Sequence, residues 1–163
     1  MRRTKEAFAR IVDILKENGV PFRISGGFAV RIYGSTRELA DIDIEIQKGC
    51  MELVSTRASP YIIYGPKRYK DRNWDLPLMT LRIFGQDIDI YEARTVKIYD
   101  KKLFRWVPLP TNFNRSVKKR VFGRTVSVMR PNDLISYKSR LGRRVDIKDV
   151  RYLKSICKKS SGN

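Results

Sequence analysis

The sequence predicts an α+β fold, and three observations predict it. Residues 4–18 repeat apolar side chains at helical spacing, with Phe8, Ile11, Val12 and Leu15 on one stripe. Two later segments, 41–46 and 87–91, alternate acid with isoleucine, the period of a strand that buries one face. Helical signals then return at Pro131, which suits the first turn of a helix running to about Arg140. With 163 residues, 42% of them hydrophobic, the chain has enough apolar material for one core. The expected organisation is a core over residues 1–130 with a helical segment over 131–163 packed on the same domain.

The first helix is expected to be capped by Thr4 and stopped by Asn18-Gly19 in a left-handed turn. An apolar strand (Phe22, Ile24) follows and delivers Gly26-Gly27 to the start of a short helix over 27–33. Backbone amides at a helix start attract anions, and glycine lets a phosphate come close. The strand 41–46 then places Asp41, Asp43 and Glu45 on one face and three isoleucines on the other. Carboxylates this near one another repel at neutral pH unless a cation lies between them, and a hard divalent ion, Mg²⁺ first, prefers such oxygen ligands. A strand with one solvated face would alternate in the same way. Aspartate is depleted in strands, however, so two such strands by accident are hard to reach.

Gly49 breaks that strand, residues 50–56 suit a short helix, and 61–64 read as a strand closed by a Gly65-Pro66 turn. Residues 67–74 are basic with interleaved aromatics, a composition that fits a polyanion or stacked base, or equally an ordinary hairpin edge. Residues 76–84 and 87–91 form a hairpin turning at Gly85-Gln86. Residues 95–121 read as loop-rich, with a basic run over 115–120; 124–129 is the last strand, and 158–163 is expected to fray.

Composition narrows the chemistry. There is no histidine, which excludes histidine-dependent triads and histidine-ligated zinc and leaves carboxylates, Lys, Tyr and Arg as reactive groups. Cys50 and Cys157 follow no pairing or metal spacing, so reduced thiols in a cytoplasmic protein are expected. No apolar run approaches the roughly 18 residues of a membrane span. Thirty-five Lys+Arg against 17 Asp+Glu give a net charge of +18, the balance of proteins that neutralise phosphate backbones. Between 118 and 159 stand 14 Lys+Arg and 3 Asp+Glu, so 14 − 3 = +11 of that excess lies in this stretch.

Gly26-Gly27, thirteen residues, then Asp41-Ile42-Asp43-Ile44 resembles the signature of the DNA polymerase beta type nucleotidyltransferase superfamily. With Thr36-Arg37 ahead of the acids, the run over 24–46 is most similar to lincosamide and aminoglycoside nucleotidyltransferases and to the toxin-type nucleotidyltransferases of phage defence. The resemblance implies a mixed sheet of about five strands carrying the acids on one face, with helices packed on the other. It implies two Mg²⁺ ions held by Asp41, Asp43 and a third acid on a later strand, Asp89 with Asp87 in reserve, and Asp89 as general base. Gly26, Gly27, Ser35, Arg37 and Lys138 would hold an NTP; the last belongs to a strand-helix-Arg-x-x-Asp-x-x-Asp ending with Arg143 or Arg144, Asp146 and Asp149, where Asp146 reads as a cap or ion-pair partner. The implied activity is transfer of a nucleoside monophosphate to an acceptor hydroxyl. RNA, tRNA especially, leads as acceptor because of the charge, with a protein or small molecule behind it and a homodimer or partner protein supplying acceptor contacts. The alternative is a non-catalytic nucleotide- or RNA-binding protein of the same fold, such as a toxin-antitoxin component.

Overall fold

The computed structural model describes residues 3–162. Helix α1 (Thr4–Glu17) forms where the apolar stripe predicts it and buries Phe8, Ile11, Val12 and Leu15 completely. Thr4 does not cap it. Its hydroxyl instead donates to Gln86 Oε1 at 2.8 Å, tying the helix start to a strand 82 residues away. Strand β1 (Phe22–Ser25), helix α2 (Gly26–Ile32), strand β2 (Ile42–Ile46) and helix α3 (Met51–Arg57) follow, each within a residue or two of its expected bounds.

The sheet is larger than the expected one of about five strands: among the described residues it has nine, and three of them lie in the stretch read as loop-rich. These are β6 (Lys97–Asp100), β7 (Arg105–Pro108) and β8 (Ser116–Val121). With β3 (Ile62–Lys70), β4 (Trp74–Ile83), β5 (Gln86–Glu92) and β9 (Arg124–Met129), the order is β7-β6-β4-β5-β2-β1-β9-β8, and β3 pairs with β4. Gly65-Pro66 does not close β3. The strand shifts register there and continues, so residues 67–70 of the basic-aromatic segment are the second half of β3 and pair with the start of β4, to which Trp74 itself belongs. The β4–β5 hairpin turns at Phe84-Gly85 rather than Gly85-Gln86: both residues have positive φ, 49° and 76°, and Ile83 pairs with Gln86.

Register sorts the two faces. Ile24 pairs with Ile44 and Val128, Ile42 with Ile88, Ile44 with Ile90, and Leu81 with Ile88, so these share one face, all of them fully buried. They join α1 in one apolar cluster. At about 25 cal/mol per Å² of apolar surface, such burial is the main favourable term holding the sheet. The opposite face carries Ser25, Asp43, Glu45, Asp89 and Tyr91. Helices α4 (Pro131–Leu141) and α5 (Arg144–Ser160) complete the chain. Helix continues to Ser160, so residues 158–160 are not frayed, and Asn163 lies outside the described residues.

Candidate active site

The polar face of the sheet opens into a cleft of about 390 Å³ lined by most of the residues predicted for the site. Asp41, Asp43 and Asp89 line it with Gly26, Gly27, Arg37 and Lys138. β2 and β5 are parallel neighbours, and Asp43 pairs in register with Asp89, so the two carboxylates leave the sheet side by side. Asp87 is drawn away into a fork from Arg82, at 2.7 and 3.0 Å. Glu45, expected alongside Asp43, is buried in an ion pair with Arg23.

The glycines make room. A Cβ at Gly26 (φ +60°) would overlap the Asp43 carboxylate, and one at Gly27 would overlap the Arg37 guanidinium. The Gly27 amide donates to Asp43 Oδ2 at 3.3 Å, and the Thr80 hydroxyl donates to Asp89 Oδ1 at 2.6 Å. Burial first, then the Asp41 and Asp89 charges, push the Asp43 carboxyl up to about 7 against the opposing field of Lys138. Asp41 and Asp89 are raised too, burial leading in each, with Arg37 opposing at Asp41 and Thr80 at Asp89.

Among the described residues, no three His, Cys, Asp or Glu side chains form a ready ligand cluster. The chemistry of the donors nevertheless suits a hard divalent ion: all are carboxylate oxygens, and behind burial the charges of Asp41 and Asp89 push Asp43 up, the charge of Asp41 pushing Asp89 up as well.

One wall of the cleft is a charge network that only part of the sequence foretold. Arg37 forks Asp149 at 2.9 and 3.2 Å, Lys138 Nζ lies 2.9 Å from Asp149 and 3.3 Å from Asp146, and Arg143 forks Asp146 at 2.6 and 3.0 Å. Lys138, Asp146 and Asp149 are buried. Asp146 also accepts the Arg143 amide, capping α5 as expected. Ser35 is not among the lining residues; its hydroxyl accepts the Arg37 amide at 3.3 Å. Sequence reading missed the aromatic wall of Tyr69, Trp74, Tyr91 and Tyr137, for which the interleaved aromatics of 67–74 were the available signal.

Taken together, these features are those of the nucleotidyltransferase fold. No family model matches the sequence, and a search of curated proteins finds no match either. Solved structures do match. A Thermotoga maritima protein, TM1012, provisionally described as a nucleotidyltransferase, aligns over 100% of this chain and 97% of its own at a TM-score of 0.67 and 17% identity. The lincosamide antibiotic adenylyltransferase LnuA, with lincomycin bound, aligns over 96% and 99% at 0.64 and 16%. ANT(2″)-Ia in complex with adenylyl-2″-tobramycin aligns over 94% and 88% at 0.60 and 13%.

Proposed function

We propose that the chain transfers a nucleoside monophosphate from an NTP to an acceptor hydroxyl. The observation that carries this reading is the register pair Asp43–Asp89, on one sheet face with Asp41 and beside the two glycines. Asp41, Asp43 and Asp89 would hold Mg²⁺, which when bound neutralises phosphate oxygens. Gly26, Gly27 and Arg37 border the triphosphate, and Lys138 stands behind them in the wall. Asp89, oriented by the Thr80 hydroxyl, takes the acceptor proton. The acceptor oxygen bonds to the α-phosphorus, the bond from that phosphorus to the bridging oxygen breaks, and pyrophosphate leaves with the electron pair. The structural neighbours named for adenylyl transfer to antibiotics favour a hydroxyl acceptor as a class. The net charge of +18 favours RNA among such acceptors.

The test offers each radiolabelled NTP in turn with Mg²⁺ and total RNA, beside Asp41→Ala. A labelled RNA made by the wild type and absent with the variant supports transfer. No labelled product from any of the four nucleotides, with RNA or with small hydroxyl acceptors, would leave only the nucleotide-binding reading.

A further inference from the structure

Helix α5 divides its charge by face. Its two acids, Asp146 and Asp149, turn inward and are consumed by Lys138, Arg37 and Arg143, while Leu153 is buried on the same side. Arg144, Lys148, Arg151 and Lys158 are exposed and recur at i, i+4, i+7 and i+14, which places them on one narrow outer stripe. Among the described residues none of the four has an acidic partner within ion-pair distance. The stripe covers about 21 Å at 1.5 Å per residue. It also starts at the cleft, because Arg143 and Val145, the neighbours of Arg144, both line it.

We infer that the outer face of α5 is a track for the phosphate backbone of a single-stranded RNA, which runs along the helix and delivers its end to the cleft. Charge complementarity selects a polyanion: four unpaired cations in line match a row of phosphates. The aromatic wall selects a single strand. Tyr69 and Trp74 offer partly exposed ring surfaces where the track ends, and unstacked bases of single-stranded RNA are held on such rings. This inference rests on the proposed function only for the end of the RNA being the acceptor; the track itself is a binding claim.

The experiment is fluorescence anisotropy of a short labelled single-stranded RNA, titrated with the full chain between about 50 and about 200 mM NaCl. Three proteins are compared: the wild type, a stripe variant (R144Q, K148Q, R151Q, K158Q), and a control that loses the same charge elsewhere (K5Q, K48Q, R57Q, R94Q). Thermal melts confirm that all three fold. The expected result is a stripe variant at least about tenfold weaker, with a log K against log [salt] slope shallower by about 3, at roughly 0.7 per lost phosphate contact. The control should stay within about twofold of the wild type. Equal binding by wild type and stripe variant, or an equal loss in the control, overturns the track. Equal affinity for DNA of the same sequence overturns the assignment to RNA, and so does stripe-dependent binding to phosphatidylserine vesicles with RNA binding unchanged. Asp43→Asn separates the two readings: stripe-dependent binding without transfer by any protein sinks the function and keeps the track, whereas RNA transfer unaffected in the stripe variant does the reverse.

Discussion

Asp43 and Asp89 are register partners across the parallel β2–β5 pair, and Thr80 on β4 holds Asp89 from the far side through a 2.6 Å hydrogen bond. Replacing either aspartate by asparagine keeps the volume and removes the charge. Transfer should fall by at least about 10²-fold in each variant, the scale of losing one fixed electrostatic group at a reacting centre. Thr80→Val should act more mildly and move the acidic limb of the pH–rate profile to higher pH, because the hydrogen bond lost there is one that lowers the Asp89 pKa. A profile unmoved by Thr80→Val would remove Asp89 from the base role.

The partly buried Asp43 carboxyl makes stability depend on pH in a defined direction. Its carboxyl titrates at about 7 in the fold against 3.8 ordinarily, so between those values the folded chain binds more protons than the unfolded one. Stability is therefore fully present below about pH 4 and lost as pH rises toward 7. Melting the protein in chelator across that window should show a steeper fall for the wild type than for Asp43→Asn. At pH 8 the variant should melt several degrees higher, since roughly 1 kcal/mol moves a domain of this size by about 2–4 °C. Mg²⁺ should reverse the order by rewarding the charged form. Parallel curves in chelator would place the proton elsewhere.

Gly19 and Gly26 form a natural pair for measuring crowding. Their φ angles are +63° and +60°, but a Cβ at Gly19 meets nothing within 4 Å, while one at Gly26 overlaps the Asp43 carboxylate. Both alanine variants carry the left-handed strain of about 1–2 kcal/mol. Gly26→Ala should cost more than Gly19→Ala in urea denaturation, and should alone reduce transfer by displacing Asp43. Equal costs and equal activities would mean that Asp43 has room to move.

How much was legible follows from the range of each signal. The acid-isoleucine strands declared both their period and their faces in a few consecutive residues, whereas the meeting of Asp89 with Asp43 depends on how β5 pairs with β2 and was expected only from the resemblance. Strands β6, β7 and β8, toward the two ends of the sheet, are short and mix prolines, turns and lysines, a composition that reads as loop in isolation. Phe84 in the hairpin turn gave no hint of its φ of 49°, because a bulky residue there is held by the pairing on either side. The Arg-x-x-Asp-x-x-Asp spacing was visible. That Asp149 is consumed by Arg37, 112 residues earlier, was not.

Lys138 is the centre of that network, between Asp146 and Asp149. Lys138→Met removes a buried cation and leaves two buried acids with one arginine each. Breaking a buried pair in this way costs about 3–5 kcal/mol. Denaturant unfolding should register a loss of that order. The triple change that adds Asp146→Asn and Asp149→Asn should recover part of it, by removing the uncompensated anions. Recovery of stability without recovery of transfer would separate the wall's structural role from its bearing on Asp43 and Arg37.

Arg37 lies on the approach to β2, whereas the carboxylate that grips it, and Arg143 and Val145 of the same cleft wall, belong to residues beyond 140. During synthesis the ribosome releases the glycines and Asp41, Asp43 and Asp89 long before these partners emerge. A nascent chain thus carries its acids with one wall missing, and the cavity is completed only once residues beyond 140 have emerged.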